Sequence, residues 1–161
     1  MSSNDDVDDT GERRAATLKL MGAYQTLIGQ GRWDDWIELW ADDGVLEFPF
    51  APAGRRRSYQ GKADILAYMK HATGRIAADA VTQMRFFPMR DPDIAVVELS
   101  IKGRALASGA PYNQSFVLFF ELKNGKLSRY REYWNPLVTI DAMGGREIWT
   151  EGFGFPEEVA A

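Results

Sequence analysis

The sequence predicts an α+β fold: a cone-like α+β barrel in which three N-terminal helices pack on a curved, mainly antiparallel sheet. Three observations carry this expectation. Up to Gly74, three stretches place apolar residues at three- and four-residue steps, the period of an amphipathic helix. From about residue 78 onward the pattern becomes one of strands. Short turn sequences, "RDPD", "SGAP" and "KNGK", separate those strands and read as consecutive hairpin connections. Helices that precede a run of antiparallel strands gather on one face of the sheet.

Taken in order, residues 1–10 carry four aspartates among Ser, Asn and Thr and read as a disordered acidic tail. The first helix spans Arg13 to Ile28, with Ala16, Leu20, Met21, Tyr24 and Leu27 at helical spacing, so Tyr24 lies on or beside its buried stripe. After "GQG", Trp33, Trp36, Ile37 and Trp40 repeat that spacing, and "ADDG" ends a second, shorter helix with a glycine. "VLEFPF" reads as a short strand closing at Pro49, and "APAGRRRSYQG" has the composition of a loop. A third helix follows Gly61 and carries Ile65, Leu66, Tyr68 and Met69. Strands are then expected at roughly 78–89, 94–107, 112–122 and 126–135. A single domain over residues 11–150 and a C-terminal tail over 151–161 complete the organisation, in keeping with a length of 161 residues.

Composition narrows the function. A net charge of -4 gives no basic face for nucleic acid, apart from the local run Arg55, Arg56, Arg57. One histidine and no cysteine leave neither a disulfide frame nor an ordinary zinc site. No cofactor or metal is expected, nor a membrane partner, because the 26% of charged residues sits near the globular average, and the acidic N-terminus lacks the basic and apolar order of a secretory signal. The cytoplasm is the expected compartment.

A sheet wrapped around helices leaves a cone whose wide end suits a small molecule. Strand alternation in "SRYREYWNPL" puts Tyr130, Glu132 and Trp134 on one face and Arg129, Arg131 and Tyr133 on the other. A carboxylate among rings is poorly solvated, which moves its pKa toward neutrality and fits it for acid/base work. The alternative is a surface charge or a cross-strand ion pair with an arginine. Spacing alone leaves both readings open.

"FFELKNGKLSRYREYWNPL" followed by "DAMGG", together with Tyr24, "GRWDDWIELWADDGVLEFP" and "YQGKADILAYM", resembles the nuclear transport factor 2-like superfamily (cystatin-like in fold), in its SnoaL-like and phenazine-biosynthesis A/B branch. The resemblance covers about residues 15–145. It implies that Glu132 matches the acid/base glutamate of the phenazine A/B proteins, whose partner histidine falls on Tyr68, with His71 one turn away. It also sets Tyr24 beside the oxyanion tyrosine of ketosteroid isomerases. The isomerase base falls on Phe48 and the second aspartate on Val117, so classical steroid isomerisation does not carry over. The aspartate pair of limonene epoxide hydrolases has no counterpart in the strands.

The remaining candidates each carry a plain structural alternative. Tyr24 reads either as an oxyanion donor or as a core aromatic, and Tyr59 as a phenolic group at the pocket rim or as loop packing. His71 faces either the pocket or solvent. Asn113 and Ser115 alternate with Val117 and are expected on its pocket-facing side. Trp40, Phe48, Phe119 and Trp134 are core residues or the lining of a cavity for a flat aromatic or polyketide-like substrate. The arginine run is a solvated loop or a steering patch at the pocket mouth.

The expected activity is that of a cofactor-independent isomerase, cyclase or C–C lyase. The competing class is a non-catalytic binding or assembly module with Glu132 tied in an ion pair. In either case a homodimer is expected through the outer sheet face, with Phe116, Leu118 and Phe120 as its apolar surface.

Overall fold

The computed structural model describes residues 4–52 and 54–145. Its elements run α1 (Asn4–Gly29), α2 (Trp33–Ile37), β1 (Trp40–Glu47), β2 (Ser58–Gln60), α3 (Lys62–Thr73), β3 (Ile76–Pro88), β4 (Ile94–Ala105), β5 (Gln114–Lys123), β6 (Lys126–Trp134) and α4 (Pro136–Ala142). The six strands form one sheet in the order β2-β1-β6-β5-β4-β3. Every neighbour pair is antiparallel except β1 with β6. The fold is thus the α+β arrangement of helices on a mainly antiparallel sheet, with a fourth short helix.

Each helix buries one stripe. Thr17, Leu20, Met21 and Tyr24 of α1 are buried, and so are Ile65, Tyr68, Met69 and Ala72 of α3, both sets at helical spacing. The α1 helix is tied to the β3–β4 turn. Thr17 Oγ1 donates to the Pro92 carbonyl at 2.8 Å, Arg14 Nη1 donates to the Met89 carbonyl at 2.7 Å, and Arg13 pairs with Asp93.

Four elements differ from expectation. The helix α1 starts at Asn4, inside the stretch expected to be a disordered tail. The helix α2 stops at Ile37, and Trp40 opens β1 instead of closing the helix. Pairing explains this, since Leu127 N–H bonds to the Leu39 carbonyl at 2.8 Å and Trp40 lies opposite Leu127. Gly44 permits the irregular step that follows, because a Cβ there would stand 2.8 Å from the Trp40 ring. Ser58–Gln60, expected as loop, adds a short edge strand to β1. After β6, Asn135 caps α4 by accepting the Leu137 N–H at 3.0 Å, with Pro136 in the first turn. The tail expected at 151–161 lies outside the described residues.

The register of β5 against β6 sets which side chains face the helices. Leu118 lies opposite Glu132, Phe120 opposite Tyr130 and Phe116 opposite Trp134. Residues directly opposite in a ladder share a face. Phe116, Leu118 and Phe120 therefore point inward with Glu132, and Leu118 and Phe120 are fully buried. They are not the outer apolar surface expected of them. That face carries Val117 and Phe119 with Tyr133 and Arg131.

Candidate active site

The concave side of the sheet, α1 and α3 enclose a cavity of about 680 Å³. Its deep wall is built from buried Tyr24 of α1, Tyr68 of α3, Tyr112 ahead of β5, and Tyr130 and Glu132 of β6. Apolar side chains such as Met69, Leu99 and Leu118 line the middle, and Gln30 and Lys70 stand exposed where it opens.

Glu132 is half-buried, in the wall of this cavity. Its Oε2 accepts the Tyr130 hydroxyl at 2.7 Å. It makes no ion pair among the described residues. Burial pushes its carboxyl up to about 7, and the Tyr130 hydrogen bond, which favours the ionised form, pulls the other way. Loss of hydration outweighs that single hydrogen bond, so the group exchanges protons near neutrality.

Four phenols feel this carboxylate. Burial raises Tyr24, Tyr68 and Tyr130 well above the usual tyrosine value, and the Glu132 charge raises them further. Tyr112 rises to about 12, chiefly by burial. All four therefore stay protonated and available as donors. The Tyr24 ring stacks on Tyr130, with centroids 5.2 Å apart. Although close enough to the Tyr130 hydroxyl to influence its titration, the Tyr24 hydroxyl completes no hydrogen bond of ordinary geometry. A buried donor without a partner is costly unless something else accepts from it.

The other expected residues fall into three groups. Phe48 and Trp134 line the cavity, and Phe48 packs against Tyr68 at 4.9 Å. Trp40 is fully buried behind the wall, 6.2 Å from Tyr130, and Tyr59 is stacked behind Tyr68 at 4.1 Å rather than at a rim. His71 is half-buried on α3 but does not line the cavity, and burial with nearby Arg75 and Arg55 lowers its pKa. Around α3 the cavity-lining Tyr68, Met69, Lys70, Ala72 and Thr73 occupy an arc of about 200° that starts at Tyr68, and His71 lies about 60° to the other side of Tyr68, just off that arc.

Asn113, Ser115, Val117 and Phe119 were expected in the pocket, but Ser115, Val117 and Phe119 lie on the opposite face of the sheet, and Asn113 is exposed just ahead of β5 and does not line the cavity. Ser115 Oγ there meets Ser100 Oγ at 2.9 Å, and Phe119 lies under the Arg131 guanidinium at 4.9 Å. A one-residue difference in register reverses every side chain, and the β5–β6 pairing allows only the even-numbered β5 residues to join Glu132. Two arginines of the run are drawn into the fold, and Arg57 is exposed. Arg55 is buried beside Tyr59 and Tyr68, and Arg56 pairs with Asp64 while covering the Tyr59 ring at 4.4 Å.

Tyr112 and Tyr130 are the site groups that sequence reading passed over. Tyr130 was legible as the residue two before Glu132 on the same strand face. Gln114 is a buried positioning residue: its Nε2 donates to the Asn135 carbonyl at 2.8 Å and its Oε1 accepts the Asn135 N–H at 3.1 Å. Among the described residues no three His, Cys, Asp or Glu side chains cluster as a metal site, and no helix is long and apolar enough to cross a membrane.

Comparison with known proteins gives a consistent picture. The SnoaL-like domain model matches residues 22–130. Uncharacterized protein YesE of Bacillus subtilis is 34% identical over 143 residues, covering 89% of this chain and 95% of its own. An uncharacterized PhzA/B-like protein of Pseudomonas aeruginosa, PA3332, is 34% identical over 125 residues, covering 75% of this chain and 85% of its own. A crystal structure of a candidate isomerase from Bacillus subtilis superposes with a TM-score of 0.78 at 30% identity, over 83% of this chain and 96% of that one. With its helices, sheet order and matched span all in agreement, the chain belongs to the SnoaL-like domain family of the nuclear transport factor 2-like fold.

Proposed function

We propose that this protein is a cofactor-independent acid/base enzyme acting on a small carbonyl compound with an aromatic or polyketide-like frame, as an isomerase, a cyclase or a C–C lyase. The observation that carries the reading is Glu132, hydrogen-bonded to Tyr130 and set among phenols in the cavity wall. The carboxylate removes a proton from the carbon beside the carbonyl. The C–H electron pair moves into the new C=C bond, and the carbonyl π pair moves onto oxygen. Tyr24, with Tyr68, donates hydrogen bonds to that oxyanion. Returning the proton at another carbon completes an isomerisation. Attack of the enolate carbon on a second carbonyl closes a ring, as the π pair of that carbonyl moves onto its oxygen, which takes the proton back from Glu132. In a retro-aldol cleavage, Glu132 instead takes a hydroxyl proton and the C–C bond electrons become the enolate.

The binding-only alternative expects Glu132 to be held by a cation, whereas its hydrogen bond here comes from a phenol. The PhzA/B-like and isomerase names of the relatives agree with proton-transfer chemistry. Proton exchange tests the reading without knowledge of the true substrate. Cyclic ketones and 1,3-diketones incubated with the protein in D₂O are expected to exchange α-protons, followed by NMR, and Glu132→Gln is expected to slow this about 10²-fold or more. Equal exchange by wild type and Glu132→Gln would remove Glu132 as the base.

A further inference from the structure

Among the described residues, two ionisable side chains apart from the phenols line the cavity: Glu132 in the deep wall and Lys70 where it opens. Lys70 lies on the last turn of α3 and is exposed, and it makes no ion pair with any described residue. The other lysine of this helix differs, since Lys62 is engaged by Glu38 and Asp42. Gln30, just past the end of α1, is exposed and lines the same cavity, and Thr73 lies one turn along α3 from Lys70. The apolar lining includes Met69, Leu99, Ile101 and Leu118.

The cavity therefore holds a half-buried carboxylate on β6 and an exposed cation on α3, with apolar side chains lining it besides. A molecule that fits it throughout carries its carbonyl at one end and a negative charge at the other. The reverse orientation would place that charge against the Glu132 carboxylate and leave Lys70 unmatched.

We propose that the substrate is an aromatic or alicyclic ketone bearing a carboxylate at the end remote from the reacting carbonyl, and that Lys70 binds this carboxylate at the cavity mouth. The inference rests on the assignment of Glu132 to the carbonyl end. Lys70 sets affinity and orientation and takes no part in proton transfer.

Matched probes test it. 6-Acetyl-2-naphthoic acid and its neutral primary amide share one ring system and one ketone and differ in charge at the far end. Calorimetric titration at pH 8 and low salt is expected to give about fivefold tighter binding of the acid, the size of one partly exposed ion pair. That preference is expected to disappear in Lys70→Met, which keeps the apolar stem, with amide binding unchanged. It should also shrink at high salt. Equal affinities in the wild type, a preference that survives Lys70→Met, or no binding of either probe would each overturn the proposal. Glu132→Gln is expected to retain the preference for the acid. Unimpaired proton exchange in that variant would count against Glu132 as base, whereas loss of charge preference in Lys70→Met leaves the base assignment untouched.

Discussion

At the scale of single residues, Glu132 and its phenols make the sharpest predictions. A carboxyl whose folded pKa is about 7 against an ordinary 4.5 holds its proton more tightly in the folded state. Its contribution to stability is therefore present below about pH 4.5 and is lost as pH rises through 7. Urea unfolding of the wild type at pH 5 and pH 8 is expected to show a loss of about 2–3 kcal/mol from this group, smaller where cavity water relieves the burial. Glu132→Gln is expected to flatten that difference. Activity should run in the opposite direction, rising through pH 7 as the base form appears. Removing the Tyr130 hydroxyl takes away the hydrogen bond that favours the carboxylate, so Tyr130→Phe is expected to shift the activity profile to higher pH, readable as a displaced inflection in kcat/KM. Tyr24 offers a cleaner separation of roles. Its hydroxyl is a buried donor that completes no hydrogen bond of ordinary geometry, so Tyr24→Phe should leave stability unchanged or raise it by up to about 1–3 kcal/mol, while loss of an oxyanion donor lowers kcat about 10²-fold.

The element scale decides how those residues meet. The irregular step within β1 depends on a residue without a side chain: a Cβ at Gly44 would meet the Trp40 ring at 2.8 Å and the Ala41 carbonyl at 3.0 Å. Gly44→Ala is expected to cost about 1–3 kcal/mol in denaturant unfolding, as Trp40 is displaced toward the tyrosine wall. Helical stripes in α1 and α3 were legible because every third or fourth residue is apolar. The Trp33 to Trp40 stretch was misread because aromatic spacing alone does not distinguish a long helix from a short helix running into a strand. Long-range pairing with β6 settles that choice, through a bond between Leu127 and Leu39 that no local pattern encodes. The helix α4 had a readable signal in Asn135 followed by Pro136, a cap and a first-turn proline.

At the scale of the whole molecule, the sheet has an outer face that the helices do not cover. Val117 is exposed there beside Tyr133, and Phe50 packs edge-on against Tyr133 at 5.1 Å. We propose that two copies pair through this face, with residues of opposite parity on β5 from those expected at first. Light scattering is expected to report a dimer for the wild type and a monomer for Val117→Arg, since a charge buried without a partner opposes association. The sequence by itself determined the class of fold, the four long strands, the buried stripes of α1 and α3, and the shared face of Tyr130, Glu132 and Trp134. These follow from local period and turn chemistry, which neighbouring residues carry between them. Only the tertiary structure decided that Tyr112 and Tyr68 join that carboxylate, that Tyr59, His71 and Asn113 fall outside the cavity, and that Ser115 and Val117 face away. Those placements depend on strand register and on which turn of a helix meets the sheet, and both are fixed by contacts between residues far apart in the chain.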